Sequence, residues 1–414
     1  MRFWAVTAMD DLALSVHHIG GRAGTRCYPI LPIFERDVVS VLYEADRSSL
    51  AGIRLATKDL PSRTVILGDC LSGQAGPRPF YLYSNRYLSS LYPLSPDYAN
   101  AFSFDAQFGW DDDPGGRSLV ETLTLDTITL DQVTEREAGK TPPPNFLSLD
   151  TQGSELEILK GGAKTIADHV VAIMTEVEFV PVYQDQPLLG DIVAYLDAQG
   201  FDLASLEIFP TAGASNRTPI GLRGKGFPQG GEALFLRRPA TLAGNPNAAQ
   251  LLLKAAFIAF VFGFFDQTHK IISGLPEAAN ALLSNSTEPG HEHAYLHFLR
   301  NYAEIAASYP PIHPVGYSEV FPPRNSGKRF MTGMASVDHD AIVTSWLGSR
   351  DHADALTDLS KLLPDDFIGI EALANQFQLT DHAEELRRNR RAQLDGVMKW
   401  LRMERTTNTP GDTA

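Results

Sequence analysis

The residues able to do chemistry begin close to the amino terminus. His18-Ile19-Gly20-Gly21-Arg22-Ala23-Gly24 closes a short apolar run. Glycines at such a place let a nucleotide-like ligand lie against the backbone, and a following helix offers free amides. Three glycines in five residues also make an ordinary turn, so this motif carries little weight alone. Glu44 adds to it. This acid ends the next run, Val41-Leu42-Tyr43-Glu44-Ala45-Asp46, where a carboxylate can accept two hydrogen bonds from a ribose diol. Asp46 is the neighbouring alternative, so the choice of Glu44 is a choice of register. After a third run, Gly68-Asp69-Cys70-Leu71-Ser72 puts Asp69 in reach of an adenine amino group, with Cys70 or Leu71 against the ring face. Gly20, Gly21, Gly24, Glu44, Asp69 and Cys70 together describe a cofactor-binding edge.

Such residues need a scaffold that delivers them to one place. Between residues 14 and 240, apolar runs rich in Val, Ile, Leu and Phe alternate with helical patterns, the signature of a parallel α/β sheet covered on both faces. The expected strands are Leu14 to Ile19, Val38 to Tyr43, Thr64 to Leu67, Phe146 to Leu149 and Val170 to Glu176. After the fourth, Leu156, Leu159, Ala163 and Ile166 recur at helical spacing. Ser154 is the expected cap, and Glu155 and Glu157 fall in the first turn, where the helix dipole favours acids. Another helix runs from Leu188 to Gln199 and stops at Gly200. Phe201 to Phe209 and Glu232 to Leu236 read as a closing pair of strands. Past Pro239 the pattern changes to long helical periodicities at Ala248 to Ile272, His291 to Ser308 and Ala383 to Met403. The expectation is a sheet domain over 1–240, a helical domain over 241–405 and a disordered tail over 406–414.

Composition narrows the function. A formal charge of −15 over 414 residues repels polyanions, which disfavours nucleic-acid partners. Cys27 and Cys70 are too few for a disulfide framework or a cysteine zinc site, so a reducing cytoplasm is the expected location. Asp10 and Asp11 interrupt any signal-peptide run, and Ala255 to Phe265 is too short to cross a bilayer. That apolar stretch is expected to cover the cofactor edge or to drive self-association, giving a homo-oligomer through the helical domain.

The longest motif is Phe146-Leu147-Ser148-Leu149-Asp150-Thr151-Gln152-Gly153-Ser154-Glu155-Leu156-Glu157-Ile158-Leu159-Lys160-Gly161-Gly162-Ala163. It closely resembles the hallmark of the FkbM methyltransferases, a strand ending in Asp-x-Glu-Gly that runs into a helix with Glu, Leu, Leu-Lys-Gly and Ala. The resemblance continues in Ser89-Ser90-Leu91, Thr124-Leu125-Asp126, Glu176-Val177-Glu178-Phe179, Tyr183, Gly200-Phe201 and Glu232-Ala233-Leu234-Phe235. It covers roughly residues 14 to 238. His18 stands where the family usually has an acid, and Gln152 where Glu is commoner. The resemblance implies a Rossmann-like class I methyltransferase sheet, mostly parallel with an antiparallel closing strand. It implies S-adenosylmethionine (SAM) as cofactor, with Gln152 beside its sulfonium. It also implies O-methylation of a sugar, polysaccharide or related small-molecule acceptor in a bacterial setting.

Methyl transfer from a sulfonium is a direct displacement, so the enzyme must align an acceptor oxygen and exclude water. An alcohol acceptor also needs a base. Asp150 is the first candidate, because ligands of open α/β sheets bind at the carboxyl ends of strands. Glu176 is the second, with His18 and His17 behind it. A nicotinamide oxidoreductase shares the glycine loop and Glu44 but does not predict the Asp150 to Ala163 block. A catalytically silent scaffold is the other alternative, drawing on the changes at His18 and Gln152. His291, His293 and His297 lack the spacing of a zinc protease, so no metal is expected. The run Arg387-Arg388-Asn389-Arg390-Arg391 reads as a salt-bridged helix face.

Overall fold

The computed structural model describes residues 12–20, 37–58, 60, 62–96, 116–208, 227–285, 293–308 and 388. Gly21, Gly24, Cys27, His291, the helix expected over 383–403 and the tail lie outside the described residues, as does the basic run apart from Arg388. The chain divides into two compact units, Met1–Leu299 and Arg300–Ala414.

Within the first unit the strands are β1 (Leu14–Ile19), β2 (Val38–Tyr43), β3 (Arg63–Leu67), β4 (Cys70–Leu71), β5 (Gly76–Tyr83), β6 (Leu119–Ile128), β7 (Phe146–Leu149), β8 (Ala172–Glu178), β9 (Phe201–Ile208) and β10 (Gly230–Arg237). Seven of them form one sheet in the order β3-β2-β1-β7-β8-β10-β9. Neighbours from β3 to β8 pair in parallel, while β10 is antiparallel to both β8 and β9. The apolar runs predict its parallel strands, and the antiparallel closing strand is the one the family resemblance implies. The chain order reverses direction between β1 and β7, which opens a crevice at their carboxyl ends.

The sheet forms because its central strands are apolar on both faces. Every residue of β1 and β7 is buried. His17 is accommodated inside by hydrogen bonds: its ring nitrogens lie 2.9 Å from Tyr43 Oη, 3.1 Å from Ser15 Oγ and 2.9 Å from the Pro142 carbonyl. Burial pushes its pKa down to about 4, the Pro142 carbonyl opposing. His17 is therefore a neutral packing residue.

Helices α1 (Leu50–Thr57), α2 (Leu130–Arg136), α3 (Glu155–Gly161), α4 (Ala163–His169) and α5 (Leu189–Ala198) accompany the sheet. The single helix expected after β7 is two, divided at Gly161-Gly162. A Cβ on Gly161 would lie 2.7 Å from the Ser72 carbonyl, and one on Gly162 would lie 2.6 Å from Leu130 Cδ2. Both neighbours are distant in sequence, so local periodicity could not report the break. A second sheet, in the order β4-β6-β5, is absent from the sequence reading. Pro77 and Pro79 interrupt β5, and β6 is largely exposed, so neither shows the pattern of a core strand.

Beyond the sheet come α6 (Ala248–Val261), α7 (Phe265–Ser273), α8 (Glu277–Asn285) and α9 (Ala294–Ser308). The apolar face of α6 is covered within the chain. Phe262, just past its end, stacks on Phe146 at 5.6 Å, and Phe257 lies 5.2 Å from Tyr295. Lys254 Nζ donates to Asn145 Oδ1 at 3.0 Å, and the Tyr295 amide donates to Asp37 Oδ2 at 3.0 Å. Phe146, Asn145 and Asp37 all sit at the amino ends of strands. These helices consequently cap the end of the sheet opposite the crevice, which corrects the expectation that they cover the cofactor edge. No helix among the described residues is long and apolar enough to cross a membrane.

Candidate active site

The parallel ladder carries the tips of β1, β2, β3 and β7 to one edge in step. The Asp150 amide donates to the Ile19 carbonyl at 3.0 Å, Gly20 to Tyr43 at 3.2 Å, and Glu44 to Leu67 at 3.0 Å. Gly20 has φ +100°, and a Cβ there would lie 1.9 Å from the Asp150 carbonyl oxygen. Only glycine lets β1 turn away so close to β7. The cleft above this edge is lined by Gly20, Glu44, Asp69, Cys70, Asp150 and Gln152, among others. Gly20, Glu44, Asp69, Cys70, Asp150 and Gln152 thus come together, with Glu176 one hydrogen bond behind Gln152.

His18 is placed differently. It is 3% exposed, its Nδ1 is 3.2 Å from Ser148 Oγ, and it does not line the cleft. Burial lowers its pKa, with Asp150 acting the other way. Its position on the β1–β7 pair, facing Ser148, withdraws it from direct contact with a ligand.

On the wall formed by β2 and β3, Glu44 is buried and its Oε1 accepts the Asp46 amide at 2.7 Å. Asp69 is gripped by Arg136, whose Nη1 and Nη2 lie 2.8 and 2.6 Å from its two oxygens. Arg136 ends α2, and α2 begins with a reciprocal Thr129–Gln132 capping box. A bidentate clamp of this kind fixes the direction of the carboxylate. Cys70 is a buried thiol whose pKa burial pushes up to about 12, with Glu157 adding to the effect. As a neutral group it offers soft, weakly polar surface to a flat ring.

The β7–α3 loop is the most structured part of the site. Gln152 adopts φ +58° and Gly153 φ +104°. Ser154 makes no side-chain cap to α3; its hydroxyl instead approaches the Thr151 carbonyl at 3.4 Å. Glu155 takes the stabilising role, accepting from the Thr151 amide at 2.8 Å, the Thr151 hydroxyl at 3.0 Å and the Gly153 amide at 2.9 Å. Burial pushes Glu155 up to about 7 against these donors.

Gln152 then joins three elements. Its Nε2 donates to Asp150 Oδ1 at 2.9 Å and to Glu176 Oε2 at 2.6 Å, while its Oε1 accepts from the Tyr183 hydroxyl at 2.9 Å. Its carbonyl accepts from Ser90 Oγ at 2.6 Å. Asp150 is exposed at the strand tip, and Glu176 lies behind it, joined to it through the Gln152 amide. Burial raises Glu176 well above the carboxylate range, and Asp150, Glu178 and Glu155 add to it. Glu178 is likewise pushed up to about 8, first by burial and then by Glu155 and Asp150.

The loop from Asp150 into α3, with Ser90 and Tyr183 closed upon it, is the stretch on which a family assignment rests. Residues 43–203 match the family model described as Methyltransferase FkbM domain. No curated protein and no solved structure matches the chain. The FkbM domain holds Glu44, Asp69, Cys70, Asp150, Gln152 and Glu176, whereas β1 with Gly20 and the closing β10 lie outside the matched stretch and join it in space.

Sequence reasoning missed Arg136, which orients Asp69, and the partners of Gln152. Tyr183 and Ser90 are visible in sequence only as parts of the family pattern. Their hydrogen bonds to Gln152 span 31 and 62 residues, beyond any local signal.

Proposed function

We propose that this FkbM domain uses SAM to methylate a hydroxyl of a sugar, polysaccharide or related small acceptor by in-line displacement. The observation that carries the reading is the Asp150 carboxylate at the tip of β7, at the reversal point of the sheet, hydrogen-bonded to Gln152, whose amide also donates to Glu176. The walls fit the cofactor: Glu44 stands where a ribose diol would be held, clamped Asp69 and neutral Cys70 where a purine would lie, and the acids of β7 and β8 suit a cation. When bound, SAM supplies an electrophilic methyl on sulfur, and the electrons of the broken C–S bond stay on that sulfur.

The chain's own part is to orient and to move one proton. Asp150 accepts the hydroxyl proton as the new C–O bond forms. Glu176, pushed toward its neutral form by burial, accepts from the same Gln152 amide as Asp150 and so adds little negative charge beside it. Gln152 fixes the geometry without adding a further negative charge. Gly20 keeps the β1 tip tight against Asp150. The buried neutral thiol and the acidic surface fit a reducing cytoplasm and an acceptor that is not a nucleic acid.

The test uses the full chain, methyl-labelled SAM and a metabolite and glycan extract, with labelled O-methyl products read by mass spectrometry. Asp150→Asn is expected to cut incorporation by about 100-fold or more, in the range of general-base effects. Its affinity for the demethylated product, S-adenosylhomocysteine, should stay within about threefold. A wild-type chain that binds neither SAM nor S-adenosylhomocysteine in calorimetry rules the reading out.

A further inference from the structure

The far lip of the cleft is made by a short 3₁₀ turn, Arg86–Leu88, that follows β5. Arg86 and Tyr87 both line the cleft. Arg86 is the only basic residue that does so among the described residues, in a cleft that also carries Glu44, Asp69 and Asp150. Arg86 is half-buried as a residue, and no carboxylate among the described residues lies within ion-pair distance of it. Tyr87 beside it is 65% exposed.

This turn is held from several sides. The Asn85 side chain accepts the Tyr87 amide at 3.1 Å, and the Asn85 amide donates to the Gly116 carbonyl at 2.9 Å. The Tyr183 hydroxyl reaches the Leu88 carbonyl at 3.0 Å, and Ser90 Oγ donates to the Gln152 carbonyl at 2.6 Å. Two of these ties run to Gln152 or to the tyrosine that orients it. The segment that carries Arg86 and Tyr87 is thus tied to the loop after β7 and to Tyr183 after β8, and both residues share the cleft with Asp150.

We infer that Arg86 and Tyr87 form an acceptor subsite that takes a carboxylate-bearing sugar, Arg86 holding the carboxylate and Tyr87 covering the ring. This rests on the methyltransferase reading. A guanidinium fork matches a carboxylate in two hydrogen bonds, and an exposed tyrosine offers a flat apolar face at little entropic cost. The choice of carboxylate over phosphate follows from charge. Asp150, Glu44 and Asp69 repel any anion in the cleft, and a phosphate monoester carrying close to two charges meets nearly twice the repulsion of a carboxylate carrying one. The fixed turn means that little ordering is left to do when the acceptor binds.

The test uses the full chain saturated with S-adenosylhomocysteine and compares methyl glucuronide with methyl glucoside by saturation-transfer NMR. The wild type is expected to favour the glucuronide by about tenfold or more, the effect of a charge-assisted hydrogen-bonded pair. Arg86→Ala should abolish that preference, Arg86→Lys should keep part of it, and Tyr87→Ala should weaken both sugars alike. Affinity for S-adenosylhomocysteine should be unchanged in all three, which also reports that they fold. Calorimetry with methylthioadenosine, which lacks the amino-acid end, separates the remaining source of a carboxylate. If Arg86→Ala weakens S-adenosylhomocysteine but not methylthioadenosine, Arg86 serves the cofactor and the acceptor subsite is overturned. No preference in the wild type, or a preference that survives Arg86→Ala, overturns it too. A wild type that binds neither nucleoside fails the methyltransferase reading itself, which is a distinct result.

Discussion

A carboxamide in place of a carboxylate changes the arithmetic of this acidic edge. Gln152 donates to Asp150 and Glu176 at once and accepts from Tyr183, whereas a glutamate, with one proton at most, could make only one of the two donations and only while protonated. Gln152→Glu should therefore be tolerated in acid and costly near neutrality. The new acid, crowded by two others, would have a folded pKa above its unfolded value of about 4.3, so its penalty is absent below that value and grows as pH rises. Thermal unfolding should show nearly equal midpoints at pH 4, and a loss of about 2 kcal/mol or more by pH 8. Glu178 gives the wild-type counterpart. Burial pushes it up to about 8, so its contribution is full below about 4.3 and declines as pH rises toward 8. Glu178→Gln should flatten that decline by up to about 1.4 kcal/mol per pH unit in chemical denaturation. An unaltered slope would show that Glu178 does not hold its proton.

At the level of elements, Asn145 joins the sheet to the helices behind it. It precedes β7 and is buried. Its Oδ1 accepts from the Ser15 amide at 3.0 Å and from Lys254 Nζ at 3.0 Å, and its Nδ2 donates to the His169 carbonyl at 3.3 Å. Asn145→Ala strips an acceptor from a buried amide and a buried ammonium together. The expected cost is about 3 kcal/mol in guanidinium unfolding, and Asn145→Asp should recover part of it by retaining the acceptor. The sequence contained β1, β2 and β7 to the residue, because each is a short, mostly apolar run without a charged residue, ended by a glycine or an acid. It did not contain the β4-β6-β5 sheet, whose prolines and exposed side chains hide it, nor the break at Gly161-Gly162, which answers to Ser72 and Leu130.

On the scale of the whole molecule, the first compact unit runs to Leu299, past the point where the sheet ends. Residues 255 to 261 are all buried in the folded chain. A fragment of residues 1–240 would expose Phe146 and the amino ends of the strands, whereas one of residues 1–308 keeps α6 through α9. The longer fragment should bind S-adenosylhomocysteine as the full chain does, and the shorter should aggregate on size-exclusion chromatography. A monodisperse, binding-competent 1–240 fragment would show that these helices add nothing essential to the sheet.

The sequence by itself determined the strand order's raw material, the acids at the strand tips and the likeness to FkbM methyltransferases, since these depend on local composition and short spacing. Where α6 packs was decided only by the tertiary structure, which turned its apolar face onto the amino ends of the sheet. So was the demotion of His18, because facing Ser148 or facing the cleft depends on which neighbour the strand pairs with. The Asp150–Gln152–Glu176 cluster, the clamp of Arg136 on Asp69 and the placing of Arg86 on the lip likewise arise from contacts between segments far apart in the chain. A hydrogen bond of about 3 Å has no trace in either partner's local sequence.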